Sequence, residues 1–302
     1  MKIATTTGDF SAYTNDQAEA MRYIYEAGFR HMDYNFGMDY PERTGVFGEN
    51  WKEYAADLKS QADELGVKFV QSHAPMGRPL TEDPEEYKQF IADNIRCIEA
   101  CAILGIPSVV VHSGYAVGLT KEETFARNKE FYKPLLEAAE RVNVMVLVEN
   151  FNKMNKENLY WIDNATDLLA LIEYVDHPLF QAVWDAGHNN MQEQSQYDGL
   201  KILGSHVKAI HVQDNMGDRD SHLTPLVGNM SLDSLMQGLL AIDYPGYFTF
   251  EVGNPFCAAE KRRACEGEER LRQVPLGLRI ESEKLLYQIG KYTLSAYDCY
   301  EE

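Results

Sequence analysis

The feature of this sequence that most restricts its fold is a recurrence: eight short runs rich in apolar and β-branched residues, each spaced to suit one strand–helix unit. They are Lys2 to Thr7, Phe29 to Asn35, Val67 to Ser72, Ser108 to Val111, Val144 to Val148, Phe180 to Trp184, the run from Val207 into His211, and Tyr247 to Phe250. Most are followed by a helical pattern with its own punctuation. A helix from about Asn15 to Ala27 starts at Asn15 or Asp16 and stops at Gly28, and one from Trp51 to Leu65 stops at Gly66. Asp83-Pro84-Glu85 opens a helix that Gly105 closes, since proline at the first helical position gives up no hydrogen bond. Thr120 and Glu123 form a capping-box pair for a helix to about Arg141, another helix is capped near Thr166, and a last one runs from about Arg279 to Tyr292. Strands this short and this apolar belong to a parallel sheet covered on both faces. The alternation therefore predicts an α/β fold: a single (β/α)8 TIM barrel spanning 1–302, with a long charged connection, Asn254 to Leu278, after the eighth strand. Such barrels commonly use ~250 residues as one domain, so the length demands no second domain.

What stands just beyond the strands matters more than the strands themselves. His73, His112, Glu149, Asp185, His211 and Glu251 follow strands three to eight in turn. One such residue alone is most simply a cap or a satisfied core side chain. Six in succession, brought to one rim by a parallel barrel, bury several carboxylates beside imidazoles, which is costly without a compensating cation or proton. Glu149, Asp185, His211 and Glu251 offer oxygen and nitrogen donors without sulfur. That set suits one divalent ion, Mn2+, Mg2+, Co2+ or Zn2+. The loop after the seventh strand adds Asp214, Asp220 and His222.

Composition narrows the partners. The formal charge of -19 repels polyanions, so nucleic acid is not expected as the substrate. No apolar run approaches the ~20 residues that cross a bilayer, and Met1 to Thr7 enters a strand pattern directly, so no membrane partner and a cytoplasmic location are expected. Five cysteines without a Cys-x-x-Cys indicate neither a disulfide framework nor a thiolate zinc site, and Cys97 and Cys101 read as helix core. A small neutral or modestly charged substrate fits best, and homo-oligomerisation is compatible with the sequence.

The motifs Val-Glu-Asn at 148 to 150, Asp-Ala-Gly-His at 185 to 188, His-Val-Gln-Asp-Asn at 211 to 215 and Phe-Glu-Val at 250 to 252 resemble those of the xylose-isomerase-like TIM barrels. That superfamily holds sugar and sugar-phosphate isomerases and epimerases together with the type-four apurinic endonuclease. The resemblance runs from the first strand to the eighth. It implies Glu149, Asp185, His211 and Glu251 as metal ligands, Glu149 and Glu251 also as the acid/base pair, and His188 on a substrate oxygen. The chemistry is coherent: a divalent ion stabilises the enediolate formed when a C–H proton next to a carbonyl is removed, and glutamates from strands five and eight reach a sugar from opposite faces.

Further substrate-binding candidates are His73, His112, Asp220 and His222, with Arg219 for a hydroxyl or phosphate and Trp161 in an aromatic wall with Phe10, Tyr13, Tyr34, Phe36 and Tyr115. The ketose 3-epimerases resembled here place an arginine six residues after the metal histidine, where this chain has Gly217. Gly228-Asn229 and Lys261-Arg262-Arg263 are candidate phosphate binders, although a solvated surface is the simpler account of both. Two alternatives stand beside a sugar or sugar-phosphate isomerase or epimerase. One is an apurinic-endonuclease-like phosphodiesterase whose three-zinc pattern matches His73, His112, His188 and Asp220-Ser221-His222. The other is a barrel that binds metal or sugar without turnover.

Overall fold

The computed structural model describes residues 1–152, 162–256 and 274–302. Its strands are β1 (Ile3–Thr6), β2 (His31–Asn35), β3 (Lys68–His73), β4 (Ser108–Val110), β5 (Met145–Glu149), β6 (Phe180–Asp185), β7 (Val207–His211) and β8 (Phe248–Phe250). They form one sheet in the order β7-β6-β5-β4-β3-β2-β1-β8, and every ladder in it is parallel. Beyond the ends of β7 and β8 the sheet meets itself. Val212 N–H donates to Thr249 O at 2.8 Å and Glu251 N–H to Val212 O at 3.2 Å, a parallel bridge between Val212 and Phe250. The result is the expected (β/α)8 TIM barrel.

Helices α1 (Gln17–Glu26), α2 (Trp51–Leu65), α3 (Pro84–Leu104), α4 (Lys121–Val142), α5 (Ala165–Val175), α6 (Ala186–Asn190), α7 (Gln196–Leu203), α8 (Leu232–Ala241) and α9 (Leu276–Ala296) connect and cover the strands. The punctuation is mostly as the sequence suggests. The Asp16 and Asp83 carboxylates cap α1 and α3, Gly66 turns left-handed at φ 70°, and Thr120 and Glu123 make the reciprocal capping box. Two boundaries differ. Asn164, not Thr166, caps α5, because its side chain accepts from the Asp167 amide, and α9 starts before Arg279 and runs past Tyr292. Cys97 and Cys101 are fully buried on α3, as expected of core residues.

The barrel interior positions the site. Val110, Leu147, Val183 and Ala209, on β4 to β7, form an apolar cluster of their own inside the barrel. Strand side chains alternate with period two, so the next inward positions toward the C-terminal mouth are His112, Glu149, Asp185 and His211. On the opposite side the interior is polar. Thr249 donates to Gln71 Oε1 at 3.0 Å, and Gln71 Nε2 donates to Asp33 Oδ2 at 2.8 Å. The mouth is braced by α9. Its Arg279, 2% exposed, donates to Val252 O at 2.9 Å and Asp9 O at 3.0 Å, and it lies 3.2 Å from carboxylate oxygens of both Asp9 and Glu283. Val252 immediately follows Glu251, so this buried arginine ties the segment after β8 to the turn that follows β1, Thr7–Phe10, and to α9.

Candidate metal centre and active site

Three side-chain groups capable of holding a metal meet at the C-terminal mouth: Glu149, Asp185, His211 and Glu251; His73, His112 and Glu149; and His188, Asp220 and His222. Within each, the donor atoms lie within 4.8 Å of one another. An ion with bonds of about 2.0–2.3 Å holds its ligands no more than about 4.6 Å apart, so each group needs only slight contraction.

The central group is the most enclosed. His211 Nδ1 lies 3.0 Å from Glu149 Oε1 and 3.4 Å from Glu251 Oε2. Asp185 caps α6 through Oδ1, which accepts from the His188 amide at 2.6 Å, while its buried Oδ2 has no hydrogen-bond partner. An unpartnered buried carboxylate oxygen beside two further carboxylates is costly unless a cation completes it. With an all O/N donor set besides, these four residues fit a divalent ion. Asn150 fixes the frame: its side chain receives the Asp185 amide and donates to the Asp185 carbonyl, locking the ends of β5 and β6 together.

The flanking groups are organised by backbone carbonyls. The Nδ1–H groups of His73, His188 and His222 donate to Ala74 O, Asn150 O and Glu251 O, at 2.7, 2.9 and 3.0 Å. That fixes each ring and turns Nε2 inward. Accordingly His73 Nε2 and His112 Nε2 sit 3.0 Å apart, His112 Nε2 lies 2.8 Å from Glu149 Oε2, and His188 and His222 reach the two oxygens of Asp220 at 3.1 and 3.2 Å. Gly187 permits this closeness, because a Cβ there would meet Gln213 Cδ at 2.0 Å, and Gln213 itself donates to Asp220. His222 holds φ 46°, a left-handed conformation that non-glycine residues rarely adopt except where surrounding structure enforces it.

The electrostatics follow from five carboxylates, Asp33, Glu149, Asp185, Asp220 and Glu251, crowded among five histidines. Burial, aided by neighbouring Glu149 and Glu251, pushes Asp185 up to about 7. Burial opposes charge on His188, yet Asp185 and Asp220 outweigh it and raise the imidazole to about 10. His211 and His222 are likewise held well above the usual range against burial, by Glu251 and Glu149 for the first and Asp220 for the second. Glu149 stays well below its ordinary value despite burial, chiefly through His211 and His112. The site thus draws positive charge to itself.

Glu149, Glu251, His73, His112, His188, Asp220 and His222 all line one cavity of about 280 Å³. The other expected contacts fare differently. Arg219 is exposed and does not line it. Phe10, Tyr34 and Phe36 are fully buried in the core rather than facing the cavity, because their side chains point into the helix layer. The aromatic that does line it is Phe151, edge-on to His112 at 4.8 Å, together with the side chain of Met76. Phe151 follows Glu149-Asn150 directly, and its position after a strand end was the available signal. Gly228 is not free for phosphate: its amide, with those of Leu226, Met230 and Asn215, is taken by the Asp214 carboxylate. Trp161 and Lys261-Arg262-Arg263 lie outside the described residues.

Residues 21–273 match the family model described as xylose isomerase-like TIM barrel. A fructoselysine 3-epimerase of Escherichia coli O157:H7 is 26% identical over 162 residues, 53% of this chain and 57% of that protein. Among solved structures, D-psicose 3-epimerase from Clostridium cellulolyticum H10 superposes with a TM-score of 0.76 at 16% identity, covering 97% of this chain and 99% of that one. The apo form of 3-keto-D-glucoside 4-epimerase from E. coli superposes at 0.71 with 19% identity, over 95% and 99% of the two chains.

Proposed function

Because the chain belongs to the xylose isomerase-like TIM barrel family, we propose that it is a divalent-metal-dependent isomerase or epimerase of a sugar or related polyol ketone. The observation that carries this reading is the pair Glu149 and Glu251, which flank His211 Nδ1, share one buried donor group with Asp185 and open to the same small cavity. Similarity to sugar epimerases supports it.

Glu149, Asp185, His211 and Glu251 would hold the ion, which supplies positive charge for an enediolate developing on the substrate. One glutamate, as carboxylate, takes the C–H proton next to the carbonyl, and the other is placed to deliver a proton back to the enediolate. Return to the opposite face of the same carbon epimerises, and delivery to the neighbouring carbon isomerises. His188 and His222, fixed by backbone carbonyls, are oriented to bind substrate hydroxyls through Nε2. The Gly228 amide, one candidate phosphate binder, is occupied by the Asp214 carboxylate. The test is a screen of ketoses, aldoses and inositol-derived ketones for solvent-deuterium incorporation with Mn2+ present. Exchange into at least one class is expected, and no exchange by a fully metal-loaded chain sinks the assignment.

A phosphodiesterase reading has one observation of its own, that His73, His112 and Glu149 and His188, Asp220 and His222 also have metal-ligand spacing. Phosphodiester cleavage uses closely spaced ions. Elemental analysis separates the two: one ion per chain without incision of abasic-site duplex is expected, against three zincs with incision.

A further inference from the structure

His211 differs from three of the other four histidines of the cluster in the nitrogen it turns inward. His73, His188 and His222 donate Nδ1–H to backbone carbonyls and turn Nε2 inward, whereas His211 turns Nδ1 inward, toward Glu149 and Glu251. Its outward nitrogen, Nε2, meets no backbone carbonyl. The acceptor it faces is the Asp33 carboxylate, with Oδ2 at 3.5 Å, and Nε2 makes no hydrogen bond within the protein's described residues. An imidazole can offer one nitrogen to a metal only if the other carries the proton, so whatever holds the outer N–H selects the donor atom.

Asp33 is itself held for this task. It comes from β2, across the barrel from β7, and is 1% exposed. Gln71 of β3 donates to the same Oδ2 at 2.8 Å, and Thr249 of β8 fixes the Gln71 amide by donating to its Oε1 at 3.0 Å. Gln71 and Thr249 are 3% and 0% exposed. The other Asp33 oxygen, Oδ1, has no hydrogen-bond partner, and no lysine or arginine pairs with Asp33 among the described residues. A buried carboxylate with one amide donor is poorly compensated, and the imidazole is the partner that accounts for it. The His211 plane is further restrained by His73, stacked at 5.8 Å and 28°.

We propose that Asp33, oriented by the Gln71–Thr249 chain, is a positioning residue that keeps the proton of His211 on Nε2 and so commits Nδ1 to a divalent ion. The inference rests on the metal-dependent reading of the central group. The test compares the full-length wild-type chain with D33N and D33L. Asparagine can keep the shared oxygen toward Gln71 and His211 while losing the charge; leucine loses both. Mn2+ affinity, measured by competition with a fluorescent chelator, is expected to weaken about 10–100-fold in D33L and less in D33N, the range typical of such outer partners. In Zn2+-loaded wild type, long-range imidazole 1H–15N spectra should show His211 protonated at Nε2, and D33L should lose that single form. Metal-free thermal midpoints control for general destabilisation, which leaves the nitrogen assignment of folded chains unchanged. Wild-type affinity in both variants, or a wild-type spectrum with Nδ1 protonated, overturns the proposal. A wild-type chain that takes up no divalent ion overturns the functional reading as well, whereas wild-type uptake with unchanged variants overturns this inference alone.

Discussion

Replacing Arg279 by methionine keeps the aliphatic stem and removes the positive charge that lies between Asp9 and Glu283. The side chain is 2% exposed; its Nη2 lies 3.2 Å from each carboxylate, and it supplies donors to the carbonyls of Asp9 and Val252. Where the carboxylates beside it are ionised, removing one partner of such a buried ion pair costs about 3–5 kcal/mol. With an unfolding entropy of about 2.1 cal/mol/K per residue, a 302-residue chain has about 0.63 kcal/mol/K, so the midpoint should fall by about 5–8 °C. The loss is pH-dependent. Burial, against the pull of Arg279, raises Asp9 from 3.8 to about 8, so the folded state binds more protons than the unfolded chain between those values. Stability from this group is therefore fully present below about 4 and falls as pH rises toward 8. Without the guanidinium, ionising either acid is harder still, so the gap between variant and wild type should widen from pH 6 to pH 9. Differential scanning calorimetry at both pH values measures it. A shift below about 2 °C, or a gap that narrows with pH, refutes the reasoning.

Two further outcomes follow from the central group. Glu251→Gln should leave the fold intact and remove substrate hydrogen exchange more completely than it removes Mn2+ binding, because an amide still offers one oxygen but accepts no proton; wild-type exchange would show that Glu251 is not a base. Mn2+ at 100 times its Kd should stabilise the chain by about 2.7 kcal/mol, raising the midpoint by about 4 °C, with chelator reversing it; an unchanged midpoint under saturating ion excludes selective binding to the folded state.

The strand ends could be read from sequence because their signal is local. A β-branched run such as Val144 to Val148 announces a buried strand, and the Glu149 after it must emerge at the rim. The same logic found His73, His112, Asp185, His211 and Glu251, whose donor atoms do converge. It failed wherever position depends on two strands at once. Phe10, Tyr34 and Phe36 stand near strand ends like rim residues, but Tyr34 alternates outward from β2, and short 3-10 turns after β1 and β2 carry Phe10 and Phe36 into the core. The Asp214 carboxylate takes the amide that a phosphate would need, a pairing across 14 residues that no local pattern announces. Asp33, Gln71 and Thr249 are unremarkable singly and acquire meaning only when β2, β3 and β8 are brought together. Arg279 reads as a helix-start residue on a charged segment, and nothing nearby in sequence indicates that it is buried against Asp9.

The two chemical readings of the site compete for one carboxylate. Glu149 Oε1 lies 3.0 Å from His211 Nδ1 in the central group, while Oε2 lies 2.8 Å from His112 Nε2 and 3.6 Å from His73 Nε2. If only the central group is filled, Oε2 remains available to take a substrate proton. If the His73–His112 group also held an ion, Glu149, which belongs to both donor groups, would be engaged by both and would not serve as a base. Excess Zn2+ should therefore inhibit deuterium exchange by the chain loaded with one Mn2+ ion, once conditions rule out displacement of that ion. In His112→Asn, which loses a ligand of the second group but none of the first, exchange should be less sensitive to excess zinc relative to its own zinc-free rate. If zinc fills the His73–His112 group, as read by its stoichiometry, and exchange continues undiminished, the proton acceptor is not Glu149 and the acid/base pair must be sought elsewhere in the cavity.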